Sequence, residues 1–509
     1  MKTTTRVKKI NGHEYIYEIS YYYDRETRRT RQKSRYLGKN VEGKPVRVRE
    51  KAKNPENIYS YGEFIPYVTA VKKLKLFDIL SPYLSESEIK LFFTLVFAGI
   101  LCPSAQQSPS TWFETTVLSR IYTGLKITAN SVTRLLKKLG EGSLQLNICR
   151  ALSSLSESGE VRVFEINVPM TQATLCNVGL NLPVNEPIII FVDDTDNIPI
   201  GYLSSAQYLI SSELAKGITA GLNLFSAKKA VFIPGKTYRS SMNIYGAIYS
   251  EVPFILTINP DNEIVRDEIN KVRSELMHPK NLKIFRGETL FVVQVNISLE
   301  QLPVKGYIIY SPRREEEIRE RYAEDLSIII ENLNNKPIYR WINPAEAVSD
   351  IAGSYEQYIQ WSVINNRMKV DIKRKALGRN LKNCGVSVVI TGDSDRQWDE
   401  CLEWAEERRE TEEYLSSFIR NFQTFPFSVD NEIMQTGAFF VSFVALLLDR
   451  WVKEQYSRSG LLTIYSPDRI LLELMKIRLI GLGNDKVIYS GVQSRQSDIL
   501  ETLKWDIEI

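Results

Sequence analysis

The part of this chain that decides its fold reads VRVFEINV at residues 161–168. Its dense apolar and β-branched residues predict a buried strand. A second apolar run, residues 187–192, turns through acidic residues into a third short run at 198–202, which is the pattern of a hairpin. Two more apolar runs, at 228–233 and 252–258, follow a helical stretch. Strands that alternate with helices predict a mixed sheet covered by helices, within a multidomain α/β fold.

Composition changes on either side of this region indicate several domains, as expected for 509 residues. Helical periodicity dominates before it, and a charged, mixed segment interrupts it before a late apolar strand and a helical C-terminal third. We expect five parts: a basic β-rich segment and linker at 1–57, an all-helical domain at 58–158, the first part of the α/β core at 159–262, a β-rich or mixed insertion at 263–385, and the second part of the core with C-terminal helices at 386–509.

Composition also excludes several kinds of protein. The five cysteines contain no Cys-x2-Cys pair and there are only two histidines, so a thiolate zinc site or a Ser-His-Asp triad is not supported. The longest apolar runs have about a dozen residues, against roughly 18 needed to cross a bilayer. No apolar secretory leader is seen at the N-terminus. We therefore expect a cytoplasmic protein without a membrane partner, in which any catalysis uses carboxylates.

Positive charge is concentrated at the N-terminus. Residues 1–53 hold 16 Lys/Arg and 6 Asp/Glu, a balance of +10 within a chain of net charge +4. Tyrosines are interleaved with these cations, so both phosphate pairing and stacking are available to a nucleic acid. A basic, solubilising hairpin is the alternative. The candidate DNA-binding residues here are Arg28, Arg29, Arg31, Lys33 and Arg35.

The candidate catalytic carboxylates are Glu165, in the first strand, and Glu413, in a charged helix near residues 406–420. Arg409, Glu413 and Arg420 are spaced by four and seven residues, so they share a helical face. A solvated, salt-bridged surface would have the same spacing. Between these elements, residues 216–250 contain no Asp or Glu, and the 228–233 strand ends in Pro234 and Gly235.

Together these segments resemble the catalytic domain of bacterial and archaeal insertion-sequence transposases that carry the signature Tyr-x2-Arg-x3-Glu-x6-Lys. Arg409 and Glu413 match the Arg and Glu, Arg420 stands for Lys, and Glu406 stands at the Tyr position. Glu165 stands where that family's first strand has Asp. The hairpin at 196–202 and the basic segment ending at 35–39 are also similar to parts of the family.

The resemblance implies a ribonuclease-H-like mixed sheet with an inserted domain. It also implies Mg²⁺ or Mn²⁺ held by Glu165 and Glu413 for end cleavage and strand transfer, with Arg409 and Arg420 on double-stranded DNA of the element ends. The second metal-binding Asp is replaced by Pro234 or Gly235, and Lys236 beside them is a candidate DNA contact. We therefore expect a transposase-like protein, dimeric on DNA, that binds DNA and is catalytically degenerate.

Two alternatives remain from the sequence. Asp193, Asp194 and Asp196 cluster at a strand end, so an active transposase could use Asp193 or Asp194 with Glu413 as a relocated metal site. The same cluster fits an ordinary hairpin turn, since Asp and Asn tolerate such backbone geometry. A non-enzymatic, oligomerising regulatory protein is the second alternative.

Overall fold

The fold is taken from a computed structural model of the chain. It describes residues 3–10, 13–24, 29–41, 43–46, 57–104, 108–154, 159–174, 181–204, 214–235, 252–299, 302–337, 343–393, 395–423, 432–482 and 487–507.

The described residues form both strands and helices, in successive runs along the chain, which makes the protein mixed α/β as predicted. The strands are β1 (Thr3–Ile10), β2 (His13–Asp24), β3 (Arg29–Val41), β4 (Lys44–Val46), β5 (Asn57–Ser60), β6 (Glu160–Thr174), β7 (Asn181–Asp193), β8 (Pro199–Ser204), β9 (Lys229–Ile233), β10 (Ile255–Ile258), β11 (Leu282–Phe285), β12 (Glu288–Leu299), β13 (Leu302–Tyr310), β14 (Ile359–Ile364), β15 (Arg367–Ile372), β16 (Val386–Thr391), β17 (Arg478–Gly481) and β18 (Val487–Tyr489). The α-helices are α1 (Ile65–Lys73), α2 (Leu76–Leu80), α3 (Glu86–Leu101), α4 (Pro109–Glu114), α5 (Leu118–Ile121), α6 (Ala129–Leu139), α7 (Gly142–Ser153), α8 (Leu214–Leu224), α9 (Glu263–Val272), α10 (Pro312–Asn335), α11 (Pro344–Ala352), α12 (Arg374–Asn380), α13 (Trp398–Gln423), α14 (Glu432–Arg458), α15 (Pro467–Leu474) and α16 (Ser494–Leu503).

The chain forms two compact units, and the first combines the N-terminal residues with a segment from the C-terminal part of the sequence. It comprises residues 1–62 and 475–493. Strands β1 to β4 form an antiparallel sheet in chain order, and a second sheet has the order β18-β17-β5. Because β17 pairs with β5, residues 475–493 lie with the N-terminal segment. The predicted assignment of the whole 386–509 segment to the core is wrong there.

The second unit contains a four-stranded sheet in the order β8-β7-β6-β9. Strands β6, β7 and β8 are antiparallel neighbours, whereas β9 runs parallel to β6. This confirms the mixed sheet predicted for residues 161–168, 188–192, 199–202 and 231–233. The apolar density of β6 follows from its central position, because such a strand is buried on both faces.

The strand predicted at 254–258 does not belong to that sheet in full. Phe254 makes one parallel bridge to Phe232 of β9, whereas Ile255–Ile258 pairs with β16. Strand β10 thereby begins a five-stranded sheet of order β10-β16-β13-β12-β11. Strands β11, β12 and β13 of the predicted insertion therefore share one sheet with β10 and β16, which the sequence assigns to the core.

The middle of the insertion has a hydrophobic core of its own. Helices α10 and α11 pack with the β14–β15 hairpin around buried residues such as Leu326, Leu333, Val348 and Met368. The hairpin turns through Asn365 and Asn366, both with positive φ, the backbone conformation that a two-residue hairpin turn requires. The residues from 312 to 380 thus form a small subdomain within the second unit.

Helix α14 is the centre of the helical part of this unit. It is long and apolar enough to cross a membrane, but 83% of its apolar window is buried inside the fold, among α1, α3, α6, α13 and the sheet. The phenol ring of Tyr202 in β8 packs on Phe439 and Phe443, with centroids 4.7 and 4.9 Å apart. Its hydroxyl donates to Gln145 Oε1 at 2.6 Å, which joins the sheet, α7 and α14.

Helices α6 and α14 approach so closely that glycine is required on both. A Cβ at Gly437 would lie 2.0 Å from the carbonyl oxygen of Leu136. A Cβ at Gly140, which follows α6, would lie 1.9 Å from the carbonyl oxygen of Ile433. Both distances are well below van der Waals contact, so neither site admits a side chain without separating the helices.

We predict that Gly437→Ala lowers the free energy of unfolding by about 1–3 kcal/mol, because overpacking forces backbone shifts of that cost. The measurement is urea unfolding followed by circular dichroism. The matched control is Gly378→Ala in helix α12, where a Cβ meets nothing within 4 Å. That change should be neutral or stabilising by up to about 1 kcal/mol. Equal stability of the two variants would contradict the close approach.

Candidate functional site

Glu165 lies on the central strand β6 and is fully buried. Both of its carboxylate oxygens accept hydrogen bonds. The side-chain amide of Asn167 donates to Oε1 at 3.0 Å, and the backbone N–H of Gly235 donates to Oε2. Because β9 runs parallel to β6, the loop after β9 reaches Glu165 at the same edge of the sheet.

Gly235 is one of the two residues, with Pro234, that stand where the transposase resemblance places a second metal-binding Asp, and it leaves no space for a side chain. A Cβ there would lie 2.7 Å from Oε2 of Glu165 and 2.9 Å from Nη1 of Arg408. It would also lie 2.8 Å from the backbone oxygen of Glu165. The backbone N–H of this loop points at the Glu165 carboxylate.

Helix α13 brings Arg408 and Glu412 to this place. Arg408 Nη1 donates to Glu412 Oε2 at 2.5 Å and lies 3.4 Å from the backbone oxygen of Glu165. The side chains of Arg408 and Glu412 are only 13% and 12% exposed. Glu165, Gly235, Arg408 and Glu412 therefore form one partly buried cluster, which we call the Glu165 cluster.

The prediction that Glu413 faces Glu165 is wrong, because the neighbouring residue of the helix, Glu412, lies in the Glu165 cluster instead. Glu413 is 64% exposed, and its carboxylate pairs with Arg409, which is 50% exposed and also bonded to Glu406. Arg420 is exposed and donates to the carbonyl oxygen of Ser416. The predicted metal ligand Glu413 and the predicted DNA contacts Arg409 and Arg420 thus lie on a solvent-facing side of α13.

The sequence contains the Arg-x3-Glu pattern twice, at Arg408/Glu412 and at Arg409/Glu413. The buried positions of the helix decide between them. Cys401, Trp404, Thr411, Leu415 and Phe418 recur at helical spacing and face the core. Arg408 and Glu412 flank that stripe, so the spacing of the apolar residues indicates that this pair, and not Arg409 and Glu413, lies towards the core. In this register Ala405 and Ile419 stand at the Tyr and Lys positions.

The Glu165 cluster does not fit a pair of divalent cations. Mg²⁺ requires near-octahedral oxygen ligands, and two-metal sites stabilise both oxygens of a displacement. Here an amide N–H and a guanidinium already lie beside the two carboxylates. Within the described part of the chain, no three His, Cys, Asp or Glu side chains are grouped to hold a metal ion.

The acidic cluster at the β7–β8 turn is a structural turn. Asp193 is buried, and its Oδ1 accepts the backbone N–H groups of Thr195 at 3.0 Å and Asp196 at 2.7 Å. Asp194 pairs with Arg162. Asp193 lies opposite Val161, four residues from Glu165, which is about 13 Å along a strand. Asp193 and Asp194 are therefore engaged in turn and ion-pair contacts, whereas Glu413 pairs with Arg409 on the exposed side of α13.

A buried ion network, missed in the sequence, lies at that other end of β6. The Arg162 guanidinium bonds to the Glu407 carboxylate and, at 3.0 Å, to Asn197. Both ionic side chains are less than 10% exposed. Burial raises the pKa of Glu407 above its usual value of 4.5, against the lowering effect of Arg162 and Arg450. A lone arginine in an apolar strand was the only sequence signal.

The basic sheet of the first unit presents its cations in a row. Arg29, Arg31, Lys33 and Arg35 occupy alternate positions of β3, so they share one face, and all four are exposed. Tyr22 is paired with Arg31 on the neighbouring strand and is also exposed. Two other predicted DNA contacts, Arg28 and Lys236, lie outside the described residues.

Comparisons with known protein families and with curated proteins find no match to this chain.

We predict that Arg162→Met lowers the free energy of unfolding by about 3–5 kcal/mol, because it leaves Glu407 buried without its partner. Arg162→Met with Glu407→Met should recover part of the loss, since both charges are then absent. A double-mutant cycle in urea measures this coupling, and additive losses would contradict the network.

The Arg162→Met deficit should also depend on pH. Without Arg162 the pKa of Glu407 rises further. A carboxyl whose pKa is raised on folding stabilises the fold below its unfolded pKa, about 4.5, and loses that contribution as the pH rises through the folded value. The deficit should therefore be smaller at pH 4.5 than at pH 8. A constant deficit would indicate that Glu407 does not carry the effect.

Proposed function

We propose that this chain is a transposase-like DNA-binding protein whose catalytic centre is degenerate. One observation carries the proposal. The three segments that the sequence matches to the family's metal-binding positions are distant along the chain. In the fold, Glu165, Gly235 and the α13 pair Arg408 and Glu412 meet within hydrogen-bonding distance.

The surrounding topology supports a ribonuclease-H-like core. The strand matched to the family's first catalytic strand is central, its antiparallel partners are the strands matched to the second and third, and β9 lies parallel on its other side. Helix α13 packs against β6. This arrangement brings the ends of β9 and the α13 cluster to one edge of the sheet, as a shared catalytic centre would need.

The contacts within the Glu165 cluster support the loss of the catalytic metal site. The Gly235 N–H donates to the Glu165 carboxylate, and the Arg408 guanidinium pairs with the Glu412 carboxylate, so both carboxylates already have the partners that a cation would otherwise supply. Since a side chain at Gly235 would collide with Glu165, an Asp installed there has no route to the metal position. We therefore infer that the cluster now stabilises the core.

The β3 row supports the DNA-binding part of the proposal. Alternate residues of a strand are separated by about 6.8 Å, which equals the axial rise of two nucleotides of one DNA strand at about 3.4 Å each. Four cations at this spacing with exposed tyrosines beside them offer phosphate pairing without any need for a base-specific contact.

We predict no Mg²⁺- or Mn²⁺-dependent nicking of DNA that carries the sequences flanking this chain's own gene, either by the wild type or by Gly235→Asp. The reason is that neither protein assembles three carboxylates around a metal position. Supercoiled-to-nicked conversion on gels measures the reaction. Robust nicking abolished by Glu165→Gln would refute degeneracy, and nicking abolished by Asp194→Ala would establish a relocated site.

We predict that the combined change Arg29→Gln, Arg31→Gln, Lys33→Gln and Arg35→Gln weakens duplex binding and flattens its salt dependence. Four lost phosphate contacts should reduce the log–log slope by about 3.6, at roughly 0.9 per contact. Fluorescence anisotropy from 50 to 300 mM salt measures it. The control neutralises four cations that are already in ion pairs, Lys90, Lys271, Lys280 and Arg313. Equal effects of the two sets would contradict the β3 surface.

A further inference from the structure

A second concentration of positive charge lies in the insertion subdomain. The segment from β14 to the residues after α12, residues 359–383, contains seven basic residues and one acidic residue, Asp371. All seven basic side chains are exposed. They are Arg367, Lys369, Lys373, Arg374, Lys375, Arg379 and Lys382.

These cations have no carboxylate partners in the part of the chain that the structure describes. Two of them donate to neutral oxygens: Arg379 to the carbonyl of Lys375, and Lys382 to the side chain of Asn270 at 3.4 Å. Neutral acceptors leave the positive charge uncompensated. An anion can therefore bind to this surface without breaking an ion pair of the described residues.

The neighbouring helix shows that the subdomain pairs its charges elsewhere. Helix α10 carries four arginines and seven acidic residues. Arg313 pairs with Glu317 and Arg319 with Glu315, each one helical turn apart. One subdomain thus separates an acidic, internally paired helix from an unpaired basic face. A merely solubilising surface needs no such separation, because interspersed charges serve equally well.

The basic face has the dimensions of a phosphate track. Strand β15 has six residues and spans about 20 Å, and helix α12 adds seven residues and about 10 Å. Arg367 and Lys369 alternate on the outward face of β15, while Lys373, Arg374 and Lys375 follow at its end. Strand β15 alone, at about 20 Å, corresponds to about six base pairs of duplex at 3.4 Å each.

We propose that this face, the outer side of residues 367–382, is a second DNA-binding surface that engages the phosphates of a DNA duplex. It belongs to the second compact unit, whereas the β3 row belongs to the first, and in this proposal each surface holds its own duplex segment. The proposal rests on the proposed DNA-binding function, but it assigns an additional site that the N-terminal charge does not predict.

The test neutralises Lys373, Arg374 and Lys375 to Gln in the full chain, alone and together with the four β3 changes. Duplex binding is measured by anisotropy across a salt series. The triple variant should lower the log–log salt slope by about 2.7, at roughly 0.9 per lost contact, and the losses of the two sets should add. The matched control neutralises Arg313, Arg319 and Lys271, which are paired with glutamates, and should leave the slope unchanged.

A bridging assay tests the two-segment claim. A bead-bound duplex should capture a second, fluorescent duplex in the presence of the wild type, and either variant set should abolish the capture. Unchanged slope and capture in the triple variant, with wild-type binding intact, would overturn this proposal alone. Absence of duplex binding by the wild type would overturn the proposed function as well. A loss confined to single-stranded DNA and reproduced by Trp361→Ala would overturn the duplex assignment.

Discussion

Two opposite charges buried on one strand constrain this fold more than any other feature. Strand β6 carries Arg162 and Glu165 into the interior, three residues apart, and each must be compensated there because an isolated buried charge costs several kcal/mol. Helix α13 supplies Glu407 to the first and Arg408 to the backbone beside the second. Glu407 and Arg408 are adjacent in the helix and meet Arg162 and Glu165 of the strand, respectively. These two contacts fix the position of α13 on the sheet.

Much of the core could be predicted from the sequence because its signals are local. Strand and hairpin patterns at residues 161–202 and 228–233 depend on apolar runs and turn residues within a short window, and they define the observed sheet. The same local evidence placed Glu165 on its strand. For α13 the Arg-x3-Glu pattern fits two registers. The spacing of the family signature favours Glu413, whereas the buried stripe that includes Cys401 and Leu415 favours Glu412.

The features that sequence reasoning missed depend on partners far along the chain. Strand β5 gains its neighbour β17 more than 400 residues later, and no local pattern specifies that pairing. Strand β10 has an apolar sequence that suits either sheet, and only the position of β16 assigns it. The aspartates at the β7–β8 turn have the composition of a metal site. Their bonds to backbone N–H groups and to Arg162 give them a structural role that only coordinates reveal.

The close approach of α6 and α14, which Gly140 and Gly437 allow, has a consequence for synthesis of the protein. The two helices are separated by roughly 300 residues of sequence, which a ribosome adds in about 15–60 s at 5–20 residues per second. Throughout that interval α1, α3 and α6 have no α14 to cover their apolar faces. These faces stay uncovered until α14 has been synthesised, and transiently exposed apolar surface of this kind favours aggregation. Chain fragments that stop before residue 432 therefore expose the apolar surfaces that α14 covers in the folded protein.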